Sequence, residues 1–180
     1  AQQRGGGGRG AAPSRTGRID VHHHRITGAS EVRGQAWSEA IALEEMDKYG
    51  ITTAITSESG GANQFNDGTP KANMFVRQSN DHGAKMVLQY PGRFGLFIGL
   101  PMADVTASLK EIEYGYDTLR ADGVHIYSSI NDKWPGDPFF TPLHEELNRR
   151  KAIVFMHPTT PTCCKMPPGI GGPVVEFDFD

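Results

Sequence analysis

Cysteine is nearly absent from this chain of 180 residues, and the only two, Cys163 and Cys164, are neighbours. Adjacent cysteines rarely pair with each other, because a disulfide needs a separation and direction of the Cα atoms that an ordinary peptide bond does not provide. We interpret both as free thiols of a loop, with a soft-metal role as the alternative. Free thiols favour a reducing compartment.

An excess of positive charge is also missing, and so are long apolar runs. Lys and Arg number 18 against 21 Asp and Glu, which gives a formal net charge of -3. Nucleic-acid binding usually needs a basic face, so we expect no nucleic-acid partner. No apolar run reaches the ~20 residues of a membrane span, so we expect no membrane partner. A cytoplasmic location is the prediction. Because the chain begins at Ala1, a periplasmic or secreted location after signal-peptide cleavage stays open.

The chain divides into a glycine-rich start and a globular remainder. Residues 1–17, AQQRGGGGRGAAPSRTG, are of low complexity, and such residues bury too little apolar area to offset the entropy of ordering. We predict a flexible Gly/Arg-rich arm over 1–17. Residues 18–180 are long enough for one domain with a real core.

Five short runs rich in Ile, Val, Phe and Thr are strand candidates. They are mostly continuous rather than alternating, which is typical of parallel strands buried on both faces. They span residues 18–24, 51–57, 94–101, 123–128 and 152–157.

Helical patterns lie between these strands. The clearest covers 105–120, where Asp104 can cap the start and Gly123 follows near the end. Its apolar stripe has helical spacing and consists of Val105, Leu109, Ile112, Tyr116 and Leu119. The other predicted helices are 38–49 with Gly50 at the C′ position, 71–89, and 142–150 with Thr141 as N-cap.

The alternation of strands and helices predicts an α/β fold with a parallel sheet. Both an open doubly wound sheet and a (β/α)₈ barrel fit this order. A barrel typically takes ~250 residues, and five strands are used by His157. On the barrel interpretation, the chain holds about five of eight βα units, and we expect these 180 residues alone not to turn over substrate.

The strongest chemical signal is the run Ile19-Asp20-Val21-His22-His23-His24. Because side chains alternate along a strand, we expect Asp20, His22 and His24 on one face and His23 on the other. Two imidazoles spaced in this way can bind one metal ion. A solvated or packed histidine cluster is the alternative, whereas an affinity tag would hold more histidines outside a strand.

His157 adds a third imidazole to this pair. It closes the apolar run Ile153-Val154-Phe155-Met156-His157, and the carboxyl ends of parallel strands lie on one face of an α/β fold. Three imidazoles converging there match a common catalytic zinc set with an open position. Such an ion acidifies water or polarises a substrate oxygen.

With these histidines the chain resembles the amidohydrolase superfamily. Within it, the likeness is to the amidohydrolase-related branch that includes aminocarboxymuconate semialdehyde decarboxylase, the ortho-hydroxybenzoate decarboxylases and 6-methylsalicylate decarboxylase. The matching segments are IDVHHH (19–24), YPGRFGL (90–96), EIEYGYDTLRADGV (111–124) and ELNRRKAIVFMHPTT (146–160).

The resemblance implies a partial (β/α)₈ TIM barrel with one divalent ion, zinc in the first place and manganese as the alternative. It assigns His22 and His24 on strand 1 and His157 on strand 5 as metal ligands. The family also uses a later histidine and a late aspartate, which we expect beyond residue 180, so the catalytic residues stay unassigned. A small-molecule carboxylic acid is the expected partner, with a homodimer for the full-length protein.

The residues of the fourth predicted strand indicate how many metal ions the site binds. Binuclear amidohydrolases usually place a modified lysine there, but residues 123–128 contain none, and Lys133 lies in the loop beyond. A mononuclear site is therefore the expectation. We interpret the mid-strand His125 as a packed, hydrogen-bonded core histidine rather than a pocket residue.

Weaker candidates for substrate binding are Ser57, Tyr127 and Ser128 at strand ends, each of which equally fits a hydrogen-bonding role at the end of a strand. Trp134, in the loop after strand 4, can stack on an aromatic ring or anchor its loop. Arg93 precedes strand 3 and is expected at the opposite, non-catalytic end.

Three functions fit these residues. The resemblance favours a metal-dependent non-oxidative decarboxylase of an aromatic or muconate-type carboxylic acid. A metal-dependent hydrolase of a lactone or amide would use the same ligands, with metal-bound water as the nucleophile. A non-catalytic fragment is the third alternative.

Overall fold

The computed structural model describes residues 17–25, 31–32, 35–58 and 67–159. The predicted arm, apart from Gly17, and both cysteines lie outside these ranges. Among the described helices, none combines the length and the apolar character that a membrane crossing requires.

Five parallel strands form the main sheet, and they occupy the five segments that the sequence predicts. In chain order the strands are β1 (Arg18–Arg25), the short β2 (Glu31–Val32) and β3 (Gln35–Ala36), then β4 (Ile51–Glu58), β5 (Phe94–Gly99), β6 (Gly123–Tyr127) and β7 (Val154–His157). The main sheet has the order β1-β4-β5-β6-β7, and β2 and β3 pair separately as an antiparallel hairpin. No pattern in the sequence predicted this hairpin.

Within the described ranges, the α-helices between the strands are α1 (Glu39–Lys48), α2 (Pro70–Gln89), α3 (Val105–Asp117) and α4 (Thr141–Arg150). The predicted cap of α3 is confirmed, because Asp104 Oδ1 accepts the N–H of Ala107 at 2.9 Å. Gly50 follows α1 with φ +69°, as predicted for its C′ position.

Two predicted helix boundaries are wrong. Thr141 is the first residue of α4 rather than its N-cap, because a 3-10 turn over Pro138–Phe140 leads directly into the helix. Gly123 does not stop α3, which ends at Asp117. It opens β6 instead, where a Cβ atom would lie 2.6 Å from the carbonyl oxygen of Ile153.

The sheet is strongly curled. β1 and β7 are its two edges, and four steps of ~4.8 Å would separate them by about 19 Å in a flat sheet. The Nε2 atoms of His24 on β1 and His157 on β7 nevertheless lie 3.1 Å apart. The strands therefore form a half-barrel in chain order, and the doubly wound alternative, which requires a reversal of strand order, is wrong.

The core lies between the sheet and its helices. β5 and β6 are buried along their whole length, as expected for strands covered on both faces. The edge strands differ: Ile19, Val21, Val154 and Met156 are between 42% and 61% exposed. The main cluster packs α2, α3 and α4 onto the central strands, and a second cluster joins α1 to β4.

Candidate metal centre

Three histidine rings meet inside the half-barrel at the carboxyl ends of β1 and β7. The Nε2 atoms of His22 and His24 lie 2.6 Å apart, and those of His24 and His157 lie 3.1 Å apart. Ligand atoms of all three residues fall within 4.8 Å of one another. The structure thus brings together the three residues that the sequence analysis singled out as ligands.

The backbone of β1 is irregular where the motif begins. Asp20 pairs with Ala54 and His23 pairs with Thr56, so one extra residue is inserted on β1, as in a β-bulge. The predicted common face of Asp20, His22 and His24 is therefore wrong for Asp20. Its carboxylate instead accepts the backbone N–H of His22 at 3.0 Å and lies 3.1 Å from Nδ1 of His23.

The orientation of His157 is fixed from outside the cluster. Its Nδ1 lies 2.8 Å from the carbonyl oxygen of Pro158, and a carbonyl oxygen only accepts, so Nδ1 carries the proton. In the neutral ring, Nε2 is then an unprotonated acceptor directed at His24. A hydrogen bond that fixes the tautomer in this way is a usual partner of a metal-binding histidine.

The electrostatics favour uncharged rings at β1. Burial, followed by the neighbouring His22 and His157, lowers the pKa of His24 to about 4. Burial and then His157 also lower the pKa of His22, against the opposing effect of Asp20. Metal ions bind neutral imidazole, so at neutral pH protons compete weakly for these two nitrogens.

The donor set fits a small divalent ion. Tetrahedral ligands with metal–nitrogen bonds of ~2.0–2.1 Å lie about 3.3 Å from each other. The observed Nε2 separations of 2.6 and 3.1 Å are close to that value. Three nitrogens without a fourth donor would leave a position for water or substrate.

His125 lies deeper on the same inner face. It is 2% exposed, and its ring centroid is 5.3 Å from that of His157 and 4.8 Å from that of Tyr127. Neither ring nitrogen has a hydrogen-bond partner among the described residues. The prediction that His125 is buried is confirmed, whereas the predicted hydrogen bond is not found among the described residues. Burial first, then the three cluster histidines, holds its pKa well below the usual value.

Ser57 and Tyr127 also flank the cluster. Ser57 is in register with His24 and is 1% exposed, and its hydroxyl has no partner within the described ranges. Tyr127 is in register with His157, with ring centroids 5.8 Å apart. Burial, followed by the negative charge of Glu58, raises the pKa of its phenol. Both positions are consistent with a pocket wall.

Ser128 and Arg93 are engaged in hydrogen bonds, and Trp134 lies in an exposed loop. The hydroxyl of Ser128 accepts the N–H of Thr159 at 3.0 Å, which ties the end of β6 to the residues after β7. Trp134 is 45% exposed in the loop after β6. Arg93 donates to the carbonyl oxygen of Thr52 near the start of β4, which confirms its predicted place at the opposite end of the strands.

Comparison with known proteins gives a family match. The amidohydrolase family model matches residues 19–176, which is most of the chain.

The chain belongs to the amidohydrolase family.

Two curated relatives of this amidohydrolase chain are fungal. A decarboxylase of Aspergillus niger is 36% identical over 79% of the chain and 43% of the relative. The 6-methylsalicylic acid decarboxylase of Penicillium expansum is 31% identical over 80% of the chain and 49% of the relative. The chain thus spans about half the length of the curated relatives it matches.

A solved structure shows the same fold. The dihydroxybenzoic acid decarboxylase of Polaromonas sp. JS666, which holds manganese and the inhibitor 2-nitroresorcinol, superposes with a TM-score of 0.70. It is 24% identical, and the match covers 81% of this chain and 50% of that structure. At this identity the likeness supports the barrel-type fold of the amidohydrolase chain and no more.

Sequence reasoning missed a buried network of charged and polar side chains directly behind the three histidines. Arg25 and Glu58, in register on β1 and β4, are 0% and 1% exposed. Arg25 donates to Thr56 at 3.0 Å and to the hydroxyl of Ser79 at 3.2 Å, and Ser79 donates to Glu58 at 2.5 Å. Burial lowers the pKa of Arg25 to about 10, although Glu58 opposes this shift. The signal in the sequence that could have indicated this network was the charged residue Arg25, immediately after His24.

Proposed function

We propose that the complete polypeptide carrying this chain is a metal-dependent non-oxidative decarboxylase of an aromatic carboxylic acid. His22, His24 and His157 would supply three of the ligands. The observation that carries the proposal is the convergence of their Nε2 atoms within the half-barrel. The decarboxylase names of the two fungal relatives support the reaction type.

A single divalent ion fits this site. Imidazole suits zinc, so zinc remains our expectation, whereas carboxylate ligands suit manganese. The manganese held by the Polaromonas structure supports manganese as the alternative. The described strand β6 contains no lysine that could bridge two metal ions. This supports a site with one ion rather than two.

Decarboxylation requires groups that bind two oxygens of the substrate and a group that supplies a proton to the ring carbon. When bound, the ion would hold the substrate carboxylate and a neighbouring oxygen by Lewis-acid attraction. The C–C bond to the carboxylate breaks, CO₂ leaves, and the electron pair stays on the ring carbon, which takes up a proton. By the resemblance, a late aspartate outside the described residues supplies that proton.

The described residues would bind and orient the acid. Ser57 and Tyr127 flank the ligands on two sides, and Phe155 packs against His22 with ring centroids 4.8 Å apart. Such a wall of aromatic and neutral polar groups suits an aromatic ring with few charges. Trp134, 45% exposed in its loop, is the candidate for stacking at the rim.

Hydrolysis of a lactone or amide remains the second candidate, because three imidazoles and an open position also serve a metal-bound water. A panel of substrates separates the two. Complete polypeptide loaded with zinc or manganese is incubated with 6-methylsalicylate, 2,6-dihydroxybenzoate and dihydrocoumarin, an aryl lactone. We expect CO₂ and the matching phenol from at least one acid.

The matched controls are two alanine variants. His24→Ala should lose CO₂ release, whereas His82→Ala, a half-exposed histidine of α2 that lies 3.7 Å from Glu39, should retain it. Opening of the lactone without CO₂ release from any acid would favour the hydrolase. A cytoplasmic location and a homodimer remain predictions for the complete polypeptide, which fractionation and light scattering can test.

A further inference from the structure

The residue that follows His24 is the most deeply buried residue of β1. Arg25 is 0% exposed, whereas the residues before it on the strand are exposed or half-buried. Arginine is almost never fully buried unless its charge is paired. Because side chains alternate along a strand, that of Arg25 points away from the face of His24 and cannot bind the same ion. Its burial therefore needs an explanation other than direct contact with a ligand.

Hydrogen bonds fix the guanidinium of Arg25 on two neighbouring elements. It donates to the hydroxyl of Thr56 on β4 at 3.0 Å, and to the carbonyl oxygen and the hydroxyl of Ser79 on α2 at 3.1 and 3.2 Å. The hydroxyl of Ser79 in turn donates to Glu58, which is in register with Arg25. Because a guanidinium is planar and presents its donors at fixed angles, these acceptors determine where the end of β1 lies relative to β4 and α2.

The ligand-bearing part of β1 is the part where its pairing is irregular. The ladder to β4 is interrupted between Asp20 and His23, and His22 lies within this interruption. Regular pairing resumes at His23 and continues through His24 to Arg25. A metal site requires its ligand atoms to be held within about 0.5 Å of their working geometry. Arg25 thus anchors the irregular segment at its carboxyl end, directly after a ligand.

We propose that Arg25 is a positioning residue for the metal, which holds the end of β1 so that His22 and His24 stay directed at the ion. The inference rests on the proposed function, because that function places an ion on these histidines. Loss of a group that supports a metal ligand typically costs about 10–100-fold in metal affinity. The effect of Arg25 passes through the backbone of β1 rather than through contact with the ion.

The positive charge of Arg25 makes the direction of the effect informative. A buried cation near the site repels a divalent ion, so electrostatics alone predicts tighter metal binding when Arg25 is removed. Positioning predicts weaker binding instead. The direction in which metal affinity changes therefore distinguishes the two roles.

The test measures the zinc affinity of the complete polypeptide by competition with a chromophoric chelator. Arg25→Met should weaken zinc binding about 10–100-fold. Arg25→Lys keeps the charge but not the planar fork, and it should lie between the wild type and Arg25→Met. The double variant Arg25→Met/Glu58→Gln leaves no uncompensated charge, so it should regain stability without regaining zinc affinity. A purely structural role would restore both together.

The matched control is Arg77→Met on the same helix. Arg77 donates to Glu111 of α3 at 2.9 Å, and Glu111 is 4% exposed, so this variant also deprives a buried carboxylate of its cation. It should destabilise the protein and leave zinc affinity near that of the wild type. Ser79→Ala is the milder variant of the network, because it removes one acceptor of Arg25 and keeps the other. It should weaken zinc binding less than Arg25→Met, and it decides the matter if Arg25→Met does not fold.

Unchanged or tighter zinc binding in Ser79→Ala and in folded Arg25→Met would overturn the positioning role. Equal weakening in Arg25→Met and Arg77→Met would overturn it too, because it would indicate general destabilisation. In both cases the metal site of the wild type stands. If Arg25→Met loses zinc affinity and Arg77→Met does not, but the wild type releases no CO₂ from any acid, the positioning role stands and the proposed decarboxylation fails. A wild type that binds no zinc would contradict both.

Discussion

Arg25 and Glu58 lie opposite each other at the ends of β1 and β4, one residue after His24 and one residue after Ser57. Both are buried, and the hydroxyl of Ser79 connects them. Because side chains alternate along a strand, the pair faces α2 while His24 and Ser57 face the interior. The buried network therefore joins the end of β1 that carries His22 and His24 to the helix behind it.

Removing Arg25 alone should destabilise the protein more than removing the charges of both Arg25 and Glu58. Arg25 and Glu58 are coupled through the hydroxyl of Ser79 and by their opposite charges, and removal of one member of such a buried network typically costs about 3–5 kcal/mol. We expect Arg25→Met to lower the free energy of unfolding of the complete polypeptide by that amount. The double variant Arg25→Met/Glu58→Gln should recover part of the loss. Urea unfolding measures both, and losses that simply add would contradict the coupling.

A glycine of α2 provides the space for this arginine. A Cβ atom at Gly83 would lie 2.6 Å from Nη1 of Arg25 and 2.6 Å from Cδ1 of Leu96. Overpacking of this kind costs about 1–3 kcal/mol, against a gain of up to ~1 kcal/mol from alanine in a helix. Gly83→Ala should therefore destabilise the protein.

The matched control for that substitution is Gly136→Ala, where no heavy atom lies within 4 Å of the added Cβ. Its thermal midpoint should stay near that of the wild type. Should Gly83→Ala melt at or above the wild-type temperature, the close fit around Arg25 would not constrain the helix.

The stability of the metal-free protein should fall in acid because of the cluster. The pKa of His24 is lowered to about 4 from the 6.5 of an unfolded chain, so between these values the unfolded state binds more protons. Stability then decreases as the pH falls through this window. The lowered pKa values of His22 and His125 act in the same direction.

Thermal melts of metal-free protein between pH 7 and pH 4.5 measure this effect. His24→Asn should show a shallower decline than the wild type, and His82→Asn serves as the control on the surface of α2. Parallel declines in the wild type and His24→Asn would mean that His24 does not contribute to the acid sensitivity.

Metal retention should depend on the histidines of both edge strands. Changing a residue that only supports a ligand typically costs 10–100-fold in metal affinity, so loss of a ligand should cost more than about 100-fold. We expect His22→Ala and His157→Ala each to lose the ion during dialysis, whereas His82→Ala keeps it. Elemental analysis of the dialysed proteins measures the bound metal. Full metal content in His157→Ala would show that β7 supplies no ligand.

Most of the fold could be predicted because the buried strands carry strong patterns. Strands such as β5 are continuous apolar runs, and α3 has a clear stripe with a capping Asp104. The hairpin of β2 and β3 could not be predicted, since strands of two residues have no periodicity. The N-cap at Thr141 was wrong because the local signals of Pro138–Phe140 and α4 overlap.

The site was predicted less completely than the fold. The spacing of His22 and His24 and the position of His157 sufficed to place three imidazoles close together on one face. The insertion near Asp20 was missed because a bulge depends on pairing with β4 rather than on the motif itself. Arg25 and Glu58 were missed for a related reason, since only the register between two distant strands brings them together.

The most direct test of the account is the position of the ion in crystals of the metal-loaded complete polypeptide, located by anomalous scattering. The account predicts one peak, about 2.0–2.2 Å from Nε2 of each of His22, His24 and His157, with Nδ1 of His157 still bonded to the carbonyl oxygen of Pro158. A peak elsewhere, or one that leaves any of the three histidines unbound, would contradict it.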